Sequence, residues 1–206
     1  MISINLFAKC PYTAETKTRM KNFLSNEERI FLSKTMLVYI LDEMNKIRSN
    51  INKNIWVYPN LDSKELKDII KKYKFTERKQ VGKNLVERLD YCLRAESVNN
   101  DKVIIFGSDI PTLNHKIIEC AIKDLSNYDI VIGPSLDGGY YLLGSNFYTI
   151  DIFNYRNNDL SFLIKYSKEN NLSYKLLSKL NIDKIEELSN NLEKLKKKHK
   201  DLKNHS

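Results

Sequence analysis

Cysteine is scarce in this chain, and what there is does not pair. Cys10, Cys92 and Cys120 are odd in number, scattered, and show no C-x-x-C spacing. That argues against a disulfide framework or a zinc site and fits a reducing, cytoplasmic compartment. Histidine is equally thin: His115, His199 and His205 make no ligand cluster. No apolar run approaches the roughly 20 residues that a membrane span needs, and the N-terminus has neither a charged lead nor a cleavage site. Repeats and internal linkers are missing too. So is any interleaving of aromatic and basic residues, which removes nucleic acid from the expected partners.

What remains is an ordinary globular composition. The 206 residues are 42% hydrophobic, enough for one domain with a full core. We expect that domain to cover residues 1–192, with 193–206 as a basic tail. Six lysines stand there against Glu193 and Asp201, so the tail carries half of the net charge of +8. A fraying, solvated helix end explains such a tail better than a binding site does.

Val103–Asp109, V-I-I-F-G-S-D, organises the rest. An unbroken apolar run bounded by turn residues reads as a strand buried on both faces, typical of a parallel sheet. Gly107 allows a sharp turn, and Pro111 stops the strand from continuing. Asp109 is thereby delivered to the carboxyl end of a central strand, where open α/β sheets bind ligands. A carboxylate there can hold a metal ion or a substrate hydroxyl.

Taken in order, Ile2–Ala8 reads as the first strand. Lys9, Lys17 and Arg19 follow on one polar loop, cations suited to phosphate. Ser25 and Glu28 give a capping box for a long helix with Ile30, Leu37, Leu41 and Met44 inward. Asn54–Tyr58 is the second strand. Asp62 with Glu65 caps a helix carrying Leu66, Ile69, Ile70 and Tyr73 on one face. A strand near Phe75 leads to Gln80–Gly82, where a third helix starts with Leu85, Leu89 and Cys92 inward; Trp56 reads as core. Asn114–Ser126 is a helix and Asp129–Gly133 another buried strand. Asp137-Gly138-Gly139 is a turn signal before a strand at Tyr140–Leu143. Two readings of it stay open: a plain hairpin turn, or a glycine-lined floor into which Asp137 reaches. Asn158–Asn171 reads as a helix, Tyr174–Leu177 as a strand, and Asp183 onward as the last helix. The alternation implies an α/β sandwich with a mainly parallel sheet.

Five motifs in order then carry a resemblance: F-A-K-x-P through K-T-R-M at Phe7–Met20, Q-x-G-x-N-L-x-x-R-L at Gln80–Leu89, G-S-D-x-P-x-L at Gly107–Leu113, G-P-x-x-D-G-G-Y-Y-L-x-G at Gly133–Gly144, and Asn181–Leu188. Together they resemble the bacterial GT-A-fold transferases of the radical-SAM-associated or arsenosugar-biosynthesis type, which are related to nucleotidylyltransferases such as the phospholactate guanylyltransferases. The resemblance implies a three-layer α/β/α sandwich with a mainly parallel sheet, the GT-A-like nucleotide-diphospho-sugar transferase fold. It implies that Lys9, Lys17, Thr18 and Arg19 bind nucleotide phosphates, and that Asp109 with Asp183 holds Mg2+ or Mn2+. Gly138, Gly139 and Tyr140 become the donor or acceptor floor. The chain departs from the family pattern in having Pro11-Tyr12-Thr13-Ala14 where P-x-P-G is usual, and Asn181 and Lys184 in its closing motif.

The reading expected from this is a metal-dependent glycosyltransferase, with Asp109 and Asp137 catalytic and Asp137 as general base toward a small-molecule acceptor. The alternative is a nucleotidylyltransferase that transfers NMP from an NTP to a phosphorylated small molecule. A degenerate, non-catalytic nucleotide binder is the third.

Overall fold

Apolar runs too short for helices and too continuous for one-sided strands build the middle of the molecule. The computed structural model describes residues 1–11, 16–47, 50–59, 63–148, 152–153 and 159–180. Its strands are β1 (Ile2–Lys9), β2 (Asn52–Tyr58), β3 (Thr76–Lys79), β4 (Lys102–Gly107), β5 (Ile130–Pro134), β6 (Tyr140–Ser145) and β7 (Tyr174–Leu176). They form one sheet in the order β3-β2-β1-β4-β6-β5-β7. The expected mainly parallel sheet is found, with β6 running antiparallel to both its neighbours. Among the described residues no helix is long and apolar enough to cross a membrane.

Successive side chains of a strand leave opposite faces of the sheet, so each central strand feeds two cores. Ile4, Leu6, Ile104 and Phe106 point to one side, where helices α1 (Asn26–Lys46), α2 (Lys64–Tyr73) and α4 (His115–Asp124) pack. Phe7, Trp56, Val103 and Ile105 point to the other, under α3 (Leu85–Ser97) and α5 (Leu160–Glu169). These are the three layers. Between β1, β2 and α3 the sheet also buries a polar knot. Asn5 donates to Ser3 Oγ and the Ile104 carbonyl, and its own Oδ1 accepts from Asn54 and from the Trp56 indole. Trp56 is core, as its sequence context implies.

The helix starts follow their caps. The Ser25–Glu28 capping box is present, both hydrogen bonds made. Ile30 is only half-buried; Leu32, Met36, Leu37, Leu41 and Met44 carry the inward stripe. Asp62 lies outside the described residues, and Ser63 is the cap of α2, its hydroxyl accepting from the Leu66 N–H. The third helix does not begin at Gln80–Gly82. Asn84 caps it by accepting from the Glu87 N–H, and Gly82, at φ +142°, turns the preceding loop against the helix. Leu85 is therefore at the first position of α3 and is 47% exposed, not inward, whereas Leu89 and Cys92 are buried. The helix expected from Asp183 onward and the basic tail lie outside the described residues.

One buried carboxylate ties two helices of the same layer. Glu43 of α1 accepts from Lys46, from the His115 backbone N–H at the start of α4 and pairs with the His115 ring. Burial pushes its carboxyl up, but these bonds outweigh burial and hold it at about 2, below the usual 4.5. A depressed pKa contributes stability above the unfolded value that is lost as pH falls through the folded one. Glu43→Gln should therefore lower the unfolding free energy by ~2–3 kcal/mol at pH 7. In urea titrations run at several pH values, that penalty should fade as pH falls from about 4.5 toward 2.

Candidate functional site

The site assembles where β1 and β4 end side by side. They pair in parallel as far as Phe7 with Gly107, and the Ser108 N–H donates to the Phe7 carbonyl at 3.0 Å. The loop after β1 and the Gly107–Asp109 turn thus leave the sheet from adjacent points. Gln80 fastens the third strand end to them: its buried amide donates to the carbonyls of Ala8, at 3.3 Å, and Trp56, at 2.8 Å.

Asp109 stands just past β4, its side chain 41% exposed, with the Ser108 hydroxyl 3.4 Å from Oδ1. Lys17 reaches the same oxygen, its Nζ 3.0 Å away, from a side chain only 3% exposed. The backbone of Lys17 is left-handed, at φ 49° and ψ 43°, and leads into a short 3-10 turn at Thr18–Met20. Non-glycine residues adopt that conformation at a cost, so the surroundings must impose it. On one side the Thr16 hydroxyl donates to Ser33 and its carbonyl accepts from Arg29; on the other Met20 is buried against Leu32 and Met36. A buried ammonium is tolerated only with a counter-charge, and Asp109 supplies it. Thr18 is exposed and Lys9 is exposed at the last position of β1. Arg19 lies in the 3-10 turn.

The Asp137 turn resolves as a hairpin. The Asp137 carboxylate is exposed, accepting from the Ser135 hydroxyl and the Gly139 N–H within its own turn. Gly138 is at φ +93°, so glycine serves the backbone there, while a Cβ would meet nothing within 4 Å. Next to this turn, Tyr140 lines the pocket beside Asp109. Pro134 pairs with Tyr140 but Gly133 pairs with Leu142, a bulge that leaves Tyr141 as the extra residue. The bulge reverses the alternation, so Tyr140 packs on the α3 side while Tyr141 goes to the opposite core. There Tyr140 joins Phe7, Leu85, Leu89, Ile105 and Leu143 around a pocket of about 140 Å³ that Asp109 also lines. Burial raises the Tyr140 phenol above its ordinary range.

The structure thus brings Lys17 and Asp109 into contact, places Tyr140 on the pocket that Asp109 lines, and bonds the Asp137 carboxylate to Ser135 and Gly139 of its turn; Asp183 lies outside the described residues. Among the described residues no group of three or more acidic, histidine or cysteine side chains forms a metal cage. One half-open carboxylate suits a hard ion such as Mg2+ or Mn2+ that keeps waters and takes its other ligands from phosphates. Two neighbours went unassigned in the sequence. Gln80 anchors the loop, and Arg88 lies over the Tyr58 ring at 3.4 Å while donating to the Gly82 carbonyl. The Q-x-G-x-N-L-x-x-R spacing was their signal.

With this geometry in hand, the relationships are clear. The chain belongs to the family described as uncharacterized protein conserved in bacteria (DUF2064), which matches residues 43–157, more than half of its length. The 2-phospho-L-lactate guanylyltransferase of Methanocaldococcus jannaschii is 31% identical over 160 residues, covering 77% of this chain and 66% of that protein. The chain spans 52% to 68% of the length of such relatives. A protein assigned as a nucleotide-diphospho-sugar transferase, from Desulfovibrio desulfuricans G20, superposes with a TM-score of 0.75 at 25% identity, covering 89% of this chain and 83% of that one. Glucosyl-3-phosphoglycerate synthase from Mycobacterium tuberculosis shares the fold, with a TM-score of 0.59 at 11% identity over 92% of this chain and 75% of that one. The resemblance read from the five motifs, and the GT-A-like fold it implied, are borne out.

The bulge is testable. A Cβ on Gly133 would fall 2.4 Å from the Tyr141 ring, which is buried and donates through its hydroxyl to the Ser178 carbonyl. Gly133→Ala should cost ~1–3 kcal/mol in urea unfolding, as other overpacked sites do. Adding Tyr141→Leu should recover part of that loss.

Proposed function

We propose that this chain is a nucleotidylyltransferase, transferring NMP from an NTP to a phosphorylated small molecule with release of pyrophosphate. The observation that carries the reading is the Lys17–Asp109 pair, an ammonium and a carboxylate 3.0 Å apart at the carboxyl edge of β1 and β4. Phosphates and the divalent ion that accompanies them need one charge of each sign at one point. The similarity to a guanylyltransferase supports nucleotidyl transfer over the expected glycosyl transfer and makes GTP the first donor to try.

Lys17, Lys9 and Arg19 bind the triphosphate, and Thr18, at the head of the 3-10 turn, lies beside them. Asp109, with Asp183, would hold a Mg2+ or Mn2+, which when bound would neutralise charge on the triphosphate. The acceptor's phosphate oxygen attacks the α-phosphorus, the bond from that phosphorus to the bridging oxygen breaks, and pyrophosphate leaves. Its charge develops toward Lys17 and Arg19, the electrostatic contribution that dominates phosphoryl chemistry. An acceptor phosphate is already anionic at neutral pH, so the reaction needs no general base. Asp137, which accepts from the Ser135 hydroxyl and the Gly139 N–H, has no proton to take in this reading.

The second reading is glycosyl transfer from a nucleotide sugar, favoured by the likeness to the Desulfovibrio protein. There Asp137 must take a proton from an acceptor hydroxyl, above the floor of Gly138, Gly139 and Tyr140.

Pyrophosphate release, assayed with each NTP against phosphorylated hydroxy acids, tests the first reading; NDP release from nucleotide sugars tests the second. We expect pyrophosphate, with kcat/KM falling about 10²–10³-fold in Lys17→Met and changing by less than about threefold in Asp137→Asn. A loss of 10²–10⁴-fold in Asp137→Asn, together with NDP release, would establish the base and the second reading instead.

A further inference from the structure

We infer that Lys17 stands in for the divalent cation at Asp109 until a nucleotide arrives, so that the site refuses metal alone and accepts metal and nucleotide as a coupled pair. The inference rests on the nucleotide-binding reading of this site and specifies how it loads.

Three observations lead to it. The Lys17 ammonium is 3.0 Å from Asp109 Oδ1, and its side chain is almost wholly buried while that of Asp109 is 41% exposed. The backbone carrying Lys17 is pinned, by the Met20 N–H donating to the Lys17 carbonyl at 2.9 Å and by the Thr16 contacts to Ser33 and Arg29. The backbone entering Asp109 is likewise held, by the Ser108 N–H donating to the Phe7 carbonyl. The four-carbon stem of the lysine lets the ammonium move without disturbing either stretch of backbone.

A hard divalent ion binds a carboxylate oxygen at about 2.0–2.1 Å. An ammonium 3.0 Å from the same carboxylate would then lie within a few ångströms of a doubly charged ion. In a site half-screened from water that repulsion is large. The ion can bind only if the ammonium leaves, and a buried ammonium leaves only toward another anion. A nucleotide phosphate is that anion. It takes Lys17 from Asp109, and Asp109 becomes available to the ion the phosphates carry. A ligand shifts such an equilibrium by its differential affinity for the two arrangements, and the coupling is reciprocal. The arrangement keeps the carboxylate charge-neutral while the site is empty and excludes non-productive metal.

Two variants make the test. Mn2+ alone, followed by the loss of the free-ion electron paramagnetic resonance signal, should bind wild-type protein at least tenfold more weakly than it binds Lys17→Met. Lys17→Arg, which keeps the charge, should resemble wild type. Conversely, in EDTA, GTP should bind Asp109→Asn several-fold more tightly than wild type, because the ammonium no longer has to leave a carboxylate; a merely structural role for the pair predicts weaker binding. If Lys17→Met does not fold, the EDTA measurement decides. The inference is overturned if Mn2+ alone binds wild type and Lys17→Met equally, or if Asp109→Asn loses metal-free nucleotide affinity. Failure of the functional reading looks different: no nucleoside triphosphate, with or without Mn2+, binds wild type at all.

Discussion

A buried positive charge sets the terms for the carboxyl edge of this sheet. The Lys17 ammonium is out of water, so a counter-charge has to meet it, and Asp109, which lies 3.0 Å away, comes from a distant part of the chain. That meeting is possible because β1 and β4 are parallel neighbours ending at the same level, Phe7 against Gly107. The demand propagates outward. Lys17 must adopt a left-handed backbone to aim inward, so Thr16 is tied to Ser33 and Arg29, and Met20 is sunk between Leu32 and Met36 on α1. A long helix with a well-made N-cap is thus part of the apparatus that holds one side chain in place.

The other half of the sheet answers a different constraint. A wholly parallel sheet would bring only strand ends to this edge. Because β6 runs the other way, its beginning arrives there, together with the turn that precedes it. The bulge opposite Gly133–Pro134 then decides which face Tyr140 occupies, and a one-residue offset moves a phenol from one core to the other. Gly133 has no side chain because the Tyr141 ring fills that space. So the reversal and the bulge together supply the wall of the pocket that the parallel half lacks.

Elements were legible in the sequence where the signal was local. The run Val103–Phe106 and the capping box at Ser25 and Glu28 depend on residues adjacent in the chain, and both are present as read. Asp109 was found for the same reason, as the first carboxylate after a buried strand. Leu85 was misplaced because its apolar character suggested an inward face, whereas Asn84 and Gly82 set the helix start by backbone hydrogen bonding and turn geometry. The polar residues of I-S-I-N were hidden within an apolar reading; their burial depends on Asn54 and Trp56 of β2, which no window around β1 contains. Lys17 was seen as one of three loop cations. Its pairing with Asp109 was not, since it follows from which strands are neighbours, and that is not written in either segment.

On the proposed reading, both reactants are anionic, and the geometry limits where their charges can be. The pocket beside Asp109 is walled by Phe7, Leu85, Leu89, Ile105 and Leu143. Apart from the Tyr140 phenol the lining there is apolar, so a phosphate placed among those side chains would lose most of the hydrogen bonds of its hydration shell, at a cost far above what apolar contact recovers. The phosphates are therefore confined to the rim, where Lys17 meets Asp109. Two anions held at one rim repel each other. The repulsion is offset only by positive charge that both can share, from the loop cations and from the ion at Asp109. An arrangement that admitted the ion early would spend Asp109 before the second anion arrived. Keeping Lys17 on Asp109 until phosphate is present reserves both charges for the moment when the two reactants meet.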